Sequence, residues 1–144
     1  MSSVKRVFPS EERQVALLMG LLFREVRATF AAEDWDGLRQ SHFRVISSVP
    51  PDGISVTDLA ERVGMTKQGC GQFVTSLVGS GHLRVEPEPT DRRVRRVRRT
   101  AKGERTIAAV TKRVLQIEQD WADRVGERRY RTFRKVLEDL ALQQ

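Results

Sequence analysis

Between Arg92 and Arg99 the chain places six arginines in eight residues, interrupted by Val94 and Val97. A guanidinium is a permanent cation with a planar fork of donors, so a run this dense suits a polyanion, nucleic acid first among them. A basic surface patch or a localisation signal would carry the same run. Residues 82–100 hold seven arginines against Glu86, Glu88 and Asp91, and they supply most of the +7 net charge of the 144-residue chain. Asp91 and Arg93 stand two apart, so the carboxylate can hold that guanidinium in a fixed direction through a charge-assisted pair. An arginine aimed from the end of a narrow ribbon is suited to a DNA minor groove; Arg92 and Arg95 flank it.

A second cluster lies in a helix expected to start behind Thr66 and to last to about Ser80. On a helical wheel Cys70, Phe73, Val74, Leu77 and Gly81 share the inward face. The opposite face presents Lys67, Gln68, Gly71, Gln72 and Thr75, short or donor-rich residues without an acid among them. Gln can pair bidentately with adenine, Lys can reach guanine or phosphate, and Gly lets a backbone approach closely. Taken alone, such a face is more often simply solvated; its position directly after a helix and turn is what points to DNA. Gly69 and Gly71 each cost about 1 kcal/mol in a helix interior relative to Ala. Close approach to DNA and a helix that is loose until bound both account for them.

Other chemistries lack their residues. His42, His82 and Cys70 cannot make a Cys/His zinc site or a disulfide framework, so no metal and no cofactor is expected. The sequence contains no Gly-rich phosphate loop, no nucleophile elbow and no helix-borne pair of metal ligands, which argues against an enzyme. Cys70 reads as a small core residue, His42 as a partly buried histidine, and Trp35 and Trp121 as packing residues. Val15 to Phe23 is a run of nine apolar or Gly residues, well short of the roughly 20 needed to span a bilayer. Arg24, Glu25 and Arg27 after it spoil a cleavage region. A buried helix, no membrane partner and a cytoplasmic location are therefore expected.

These clusters need elements to position them. Ser10 is an expected N-cap, with Glu11 and Glu12 at the positive end of the dipole. Val15, Leu18, Met19, Leu22, Phe23, Val26 and Phe30 then fall on one face of a helix to about residue 32. A second helix is expected over Trp35 to Val49, stopped by Pro50-Pro51-Asp52-Gly53. Ser55 to Asp58 has capping-box spacing ahead of a short helix with Val56, Leu59, Ala60 and Val63 inward, which Gly64 ends. Two helices joined by a tight Gly-containing turn outline a helix-turn-helix. His82 to Pro87 reads as a strand and Glu88 to Asp91 as a turn. Val94 and Val97 are three apart and cannot share one face of a regular strand, so periodicity leaves Arg92 to Arg99 open between strand and helix; the flanking turns favour a β-hairpin. Ile107, Val110, Val114, Ile117 and Trp121 then form a coiled-coil-like seam. Beyond Gly126, Tyr130, Phe133, Val136, Leu137 and Leu140 make a last amphipathic face.

In this order the parts resemble the MarR family of winged helix-turn-helix regulators, over most of the chain and most strongly from Leu38 to Gly103. Asp91-Arg-Arg93, Val97 and Thr100-Ala-Lys-Gly103 are similar to the family's Asp-x-Arg … Leu-x-Leu-Thr-x-x-Gly signature. Met65-Thr-Lys-Gln68 with Phe73, Val74 and Leu77 resembles its recognition helix. The resemblance implies a mainly α fold with a small β-hairpin wing, in one domain over residues 1–144. Residues 35–100 would form the DNA-binding lobe, and 11–32 and 101–142 the dimerisation helices of a homodimer. It further implies Arg93 in the minor groove and a small-molecule or redox-responsive pocket between the dimerisation helices and the DNA-binding lobe, with the effector itself unspecified. Three positions depart from the pattern. Arg99 replaces an apolar residue, which implies a more exposed end to the second wing strand. Gly71 and Gln72 replace a Ser-Arg pair, and no cysteine lies in the first helix, as peroxide sensing would need. The leading expectation is a repressor of an inverted-repeat operator on double-stranded DNA, with Thr66, Lys67, Gln68, Gly71, Gln72 and Thr75 in the major groove and Asp91, Arg92, Arg93 and Arg95 on the wing. Its rivals are a sequence-independent architectural binder and a dimeric protein-interaction module that has lost DNA binding.

Overall fold

The structure, a computed structural model, describes residues 13–143, so the expected cap at Ser10 and the acids Glu11 and Glu12 lie outside the described residues. Among the described residues are six helices and three short strands. In chain order they are α1 (Val15–Ala32), α2 (Gln40–Ser47), β1 (Ile54–Ser55), α3 (Val56–Val63), α4 (Lys67–Gly79), β2 (Leu83–Pro87), β3 (Arg95–Arg99), α5 (Ala101–Val125) and α6 (Glu127–Leu142). Two compact units are distinguished, with the boundary between Gln40 and Ser41.

In the first unit, α1 runs over Val15–Ala32, with Gln14 extended before it and no side-chain cap; the expected start at residue 11 lies outside the described residues. Phe30 is buried and its ring lies 5.1 Å from that of Trp35. The expectation of a helix from Trp35 was wrong by a full turn: α2 starts at Gln40. Asp36 and Gly37 both have positive φ, 55° and 76°, which no right-handed helix accommodates. The Asp34 carboxylate accepts the Asp36 N–H at 3.0 Å, an Asx-turn that competes locally with helix.

The second unit holds the helix-turn-helix and its wing. Ser55 Oγ accepts the Asp58 N–H at 3.1 Å and caps α3. Gly64, at φ 70°, ends it. The Met65 N–H reaches the Ala60 carbonyl and the Gly64 N–H the Glu61 carbonyl, a Schellman closure. α4 ends in the same way: the His82 N–H reaches the Leu77 carbonyl at 2.8 Å and the Gly81 N–H the Val78 carbonyl at 3.1 Å. Gly81 therefore belongs to the closing turn, at φ 83°, and not to the inward helix face assigned to it from spacing.

The sheet is antiparallel in the order β1-β3-β2, one strand wider than the expected hairpin. β3 begins at Arg95, with Val85 opposite Val97 and Glu86 opposite Arg96. That removes the conflict between the two valines: Val97 is fully buried, whereas Val94 stays in the turn, exposed. Around Val97 the core gathers Val45, Ile46, Val49, Leu59, Leu77 and Leu83, all fully or almost fully buried. Cys70 is buried with them, and burial pushes its thiol up from the usual range.

The start of α5 sits hard against the α4–β2 junction. Thr100 Oγ1 accepts the Gly103 N–H at 3.1 Å as N-cap and donates to the Gly81 carbonyl at 2.5 Å. The Thr100 N–H reaches the His82 carbonyl at 3.2 Å. A Cβ at Gly103 would overlap that same carbonyl oxygen, whereas one at Gly71 would meet nothing within 4 Å. Gly103→Ala is expected to destabilise by about 1–3 kcal/mol, as overpacking does, while Gly71→Ala stabilises by about 0.4–1 kcal/mol; urea titrations of both variants give the sign. Native protein at pH 8 is expected to leave Cys70 unmodified by iodoacetamide over hours, with complete reaction in urea, because only the thiolate alkylates. Rapid labelling of the native protein would contradict its burial.

Candidate nucleic-acid interface

The α4 helix is set by its cap. Thr66 Oγ1 accepts the Gly69 N–H at 3.0 Å, and the Thr66 carbonyl takes the Cys70 N–H at 2.9 Å. Cys70, Val74 and Leu77 are buried, and Phe73 is half-buried with the His42 ring edge-on at 5.2 Å. That packing turns the other face outward. Thr66, Lys67, Gln68, Gln72 and Thr75 are all exposed, and Gly71 is half-buried in the same stripe. With no acid in the first turn, the N-terminal end of α4 keeps its positive dipole end and Lys67 uncompensated. A convex, donor-rich ridge of this kind has the dimensions and polarity to enter a major groove.

The wing tip is closed by two backbone hydrogen bonds, Glu88 N–H to the Val94 carbonyl at 2.8 Å and Val94 N–H to the Asp91 carbonyl at 3.0 Å. Asp91 Oδ1 accepts both the Arg93 backbone N–H at 3.1 Å and its side-chain Nε–H at 3.3 Å. The Arg93 side chain remains 93% exposed, so the carboxylate directs the guanidinium without covering it. At this exposure the pair contributes little to stability; what it supplies is direction. Arg92 and Arg95 are exposed, and among the described residues neither side chain makes a hydrogen bond or ion pair.

The other three arginines of the run are spoken for. Arg96 ion-pairs with Glu88 and donates to the Asp52 and Gly53 carbonyls at 3.0 and 2.9 Å. Arg98 Nε lies 2.5 Å from Glu86. Arg99 donates to the Ser47 carbonyl at 3.0 Å and pairs with Glu104 at 3.3 Å. Its side chain is only 16% exposed, contrary to the more exposed strand end expected from an arginine at that position. The Ser47 carbonyl closes the C-terminal end of α2, where a cation is favourable; Arg62 does the same for the Ser48 carbonyl at 3.2 Å. Reading the run as one set missed this division. Strand alternation together with Glu86 on the facing strand and Glu88 just beyond its end was the signal available for Arg96 and Arg98.

No group of three His, Cys, Asp or Glu side chains among the described residues could hold a metal ion, and no helix among them is long and apolar enough to cross a membrane.

A model of the MarR family matches residues 37–94 of the chain, the stretch from the α1–α2 turn to the wing tip. An uncharacterised protein of Mycobacterium tuberculosis, and one of Mycobacterium bovis, are each 30% identical over 108 residues, spanning 75% of this chain and 73% of the relative. Among solved structures, MarR superposes with a TM-score of 0.79 at 22% identity, covering 92% of this chain and 91% of that one. PcaV of Streptomyces coelicolor, solved with its natural ligand, gives 0.66 at 18% over 90% and 93%. CouR of Rhodococcus jostii, solved with p-coumaroyl-CoA, gives 0.64 at 18% over 90% of each chain. At these identities the structures speak for the fold, mainly helical with a small antiparallel winged sheet. With the family model and the relatives beside it, the chain belongs to the MarR family of DNA-binding transcription regulators, which are not enzymes.

Proposed function

We propose that the protein is a homodimeric repressor that binds an inverted-repeat operator and is released by a small-molecule effector. The observation that carries the DNA part is the combination of an acid-free exposed ridge on α4 with a wing tip whose Arg93 is aimed by Asp91 and left uncovered. In this reading Gln68 and Gln72 pair with bases in the major groove, Lys67 reaches guanine or phosphate, and Thr66 and Thr75 contact its edges. Gly71 admits the backbone, Arg93 enters the flanking minor groove, and Arg92 and Arg95 contact phosphate. Two such ridges in a dimer would read half-sites about one turn, roughly 34 Å, apart. Such a regulator works in the cytoplasm, where the DNA is.

Support for a dimer comes from apolar side chains that the folded chain leaves outside. On α1, Val15 and Phe23 are 71% and 60% exposed; on α6, Leu140 and Leu142 are 72% and 79% exposed. Large apolar side chains left exposed on each of these helices are what a partner chain would cover. The effector part rests on the ligands carried by PcaV and CouR. A small molecule is favoured over a redox signal because Cys70 is buried with its thiol pushed up, which keeps the reactive thiolate scarce.

Selection of fragmented genomic DNA by the purified protein at near-physiological salt is expected to enrich an inverted repeat. Arg93→Ala is expected to bind the enriched duplex about tenfold more weakly per half-site, about a hundredfold for the dimer, with unchanged thermal stability, the effect of removing one charge-assisted hydrogen bond per half-site. Equal affinity would remove Arg93 from the interface. Retention without a motif points to an architectural binder, and no retention at all to a protein-interaction module. Light scattering is expected to give about twice the chain mass at micromolar concentration, and Leu140→Glu to shift it toward the monomer; a monomeric parent protein would refute the dimer.

A further inference from the structure

Arg96 and Glu88 occupy a place that the DNA-binding reading does not use. Their side chains are 30% and 16% exposed, the least solvated ion pair among the described residues that involves the wing's arginine run and its facing strand. Glu88 also anchors the wing tip, since its N–H closes the turn onto the Val94 carbonyl. The other end of Arg96 is held by two backbone carbonyls, of Asp52 and Gly53. These lie immediately before β1 and the helix-turn-helix.

Gly53 is shaped for this side chain. At φ 83° it is in the left-handed region, and a Cβ there would come within 2.7 Å of Arg96 Cγ and 2.9 Å of the Val97 carbonyl oxygen. The stem of Arg96 fills the space that any other residue at 53 would claim. One guanidinium therefore connects three things: the wing tip through Glu88, the loop ahead of α3 through Asp52 and Gly53, and β3 through its own backbone. Its Nε and one terminal nitrogen are both engaged by protein acceptors, in a planar fork that a lysine cannot reproduce.

We propose that Arg96 is a positioning residue for DNA binding and not a phosphate ligand: it braces the wing tip against the loop before the helix-turn-helix and so sets where Arg92, Arg93 and Arg95 point. The inference rests on the DNA-binding reading for its consequence, but the brace itself is a property of the free protein. In this scheme half of the arginine run serves direction, and only the other half adds to the counterions released on binding.

Two measurements test it. The first uses the DNA-free full chain and compares hydrogen exchange at the Glu88 and Val94 amides in the parent protein, Arg96→Gln and Glu88→Gln. Both variants are expected to exchange faster at these two positions and at few others; unchanged protection in both overturns the brace whatever the DNA result. The second measures affinity against salt on the inverted-repeat duplex retained in the genomic selection. Arg95→Gln is expected to reduce the slope of log affinity on log salt by about 0.9 for each phosphate no longer neutralised, about 1.8 for a dimer. Arg96→Gln and Glu88→Gln are expected to weaken binding roughly tenfold with the slope unchanged. The Glu88 variant separates the explanations by sign. Removing an acid from a basic wing strengthens binding if charge alone matters and weakens it if the brace matters, and this variant keeps its meaning should Arg96→Gln fold poorly. Tighter binding by Glu88→Gln, or a flattened slope in Arg96→Gln, would overturn the proposal. A parent protein that binds no duplex would instead refute the DNA-binding reading, with the exchange result still deciding the brace.

Discussion

The approach of the α5 backbone to the carbonyl of His82 is the constraint on which the second unit depends. At that point the end of α4, the residue that leads into β2 and the N-terminus of α5 must share one small volume. The absence of a side chain at Gly103 allows it. Thr100 then uses its N–H, its hydroxyl and its capping oxygen on three different neighbours, and Lys102 adds a hydrogen bond to the Ser80 carbonyl at 2.8 Å. Backbone groups that leave a helix end need partners when they are buried. Here the α4 terminus finds them in its own Schellman turn and in the start of α5.

Charge in this molecule has two uses that composition cannot separate. A guanidinium that donates to carbonyls and carboxylates is a structural crosslink, and its contribution to an external field is largely cancelled by its partner. One left in water keeps its full attraction for a phosphate, screened only by salt. Arg96, Arg98 and Arg99 belong to the first kind and Arg92 and Arg95 to the second. Arg93 stands between them, paired with Asp91 for direction yet almost wholly exposed. The net charge of +7 therefore overstates what the wing offers to DNA and understates how firmly the wing is built.

The same division shapes α4. Its apolar side is narrow, with Cys70, Val74 and Leu77 carrying the packing, and its polar side has no ion pairs of its own among the described residues. A face that satisfies itself internally would have to break those interactions to meet a base. The polar side chains of α4 are left to water, so meeting a base would give up their hydration but break no ion pair within the protein.

Much of this was legible in the residues alone, and what was legible is local. Caps at Ser55 and Thr66 and the stops at Gly64 and Gly81 depend on hydrogen bonds spanning a few residues. The inward face of α4 depends on helical period. Neither needs the rest of the chain. The start of α2 was misread because its apolar spacing continued through Asp36 and Gly37, where the backbone turns left-handed and a side-chain hydrogen bond outcompetes the helix. β1 was invisible, being two residues long and defined only by the strand it pairs with. The division of the arginines was decided by tertiary structure: Arg96 reaches back 43 and 44 residues, and Arg99 reaches 52. Which guanidiniums meet protein and which meet water follows from strand register and from carbonyls that only the folded chain brings within reach: alternation and the nearby acids point to Arg96 and Arg98, but nothing local marks the distant carbonyls that Arg96 and Arg99 take up.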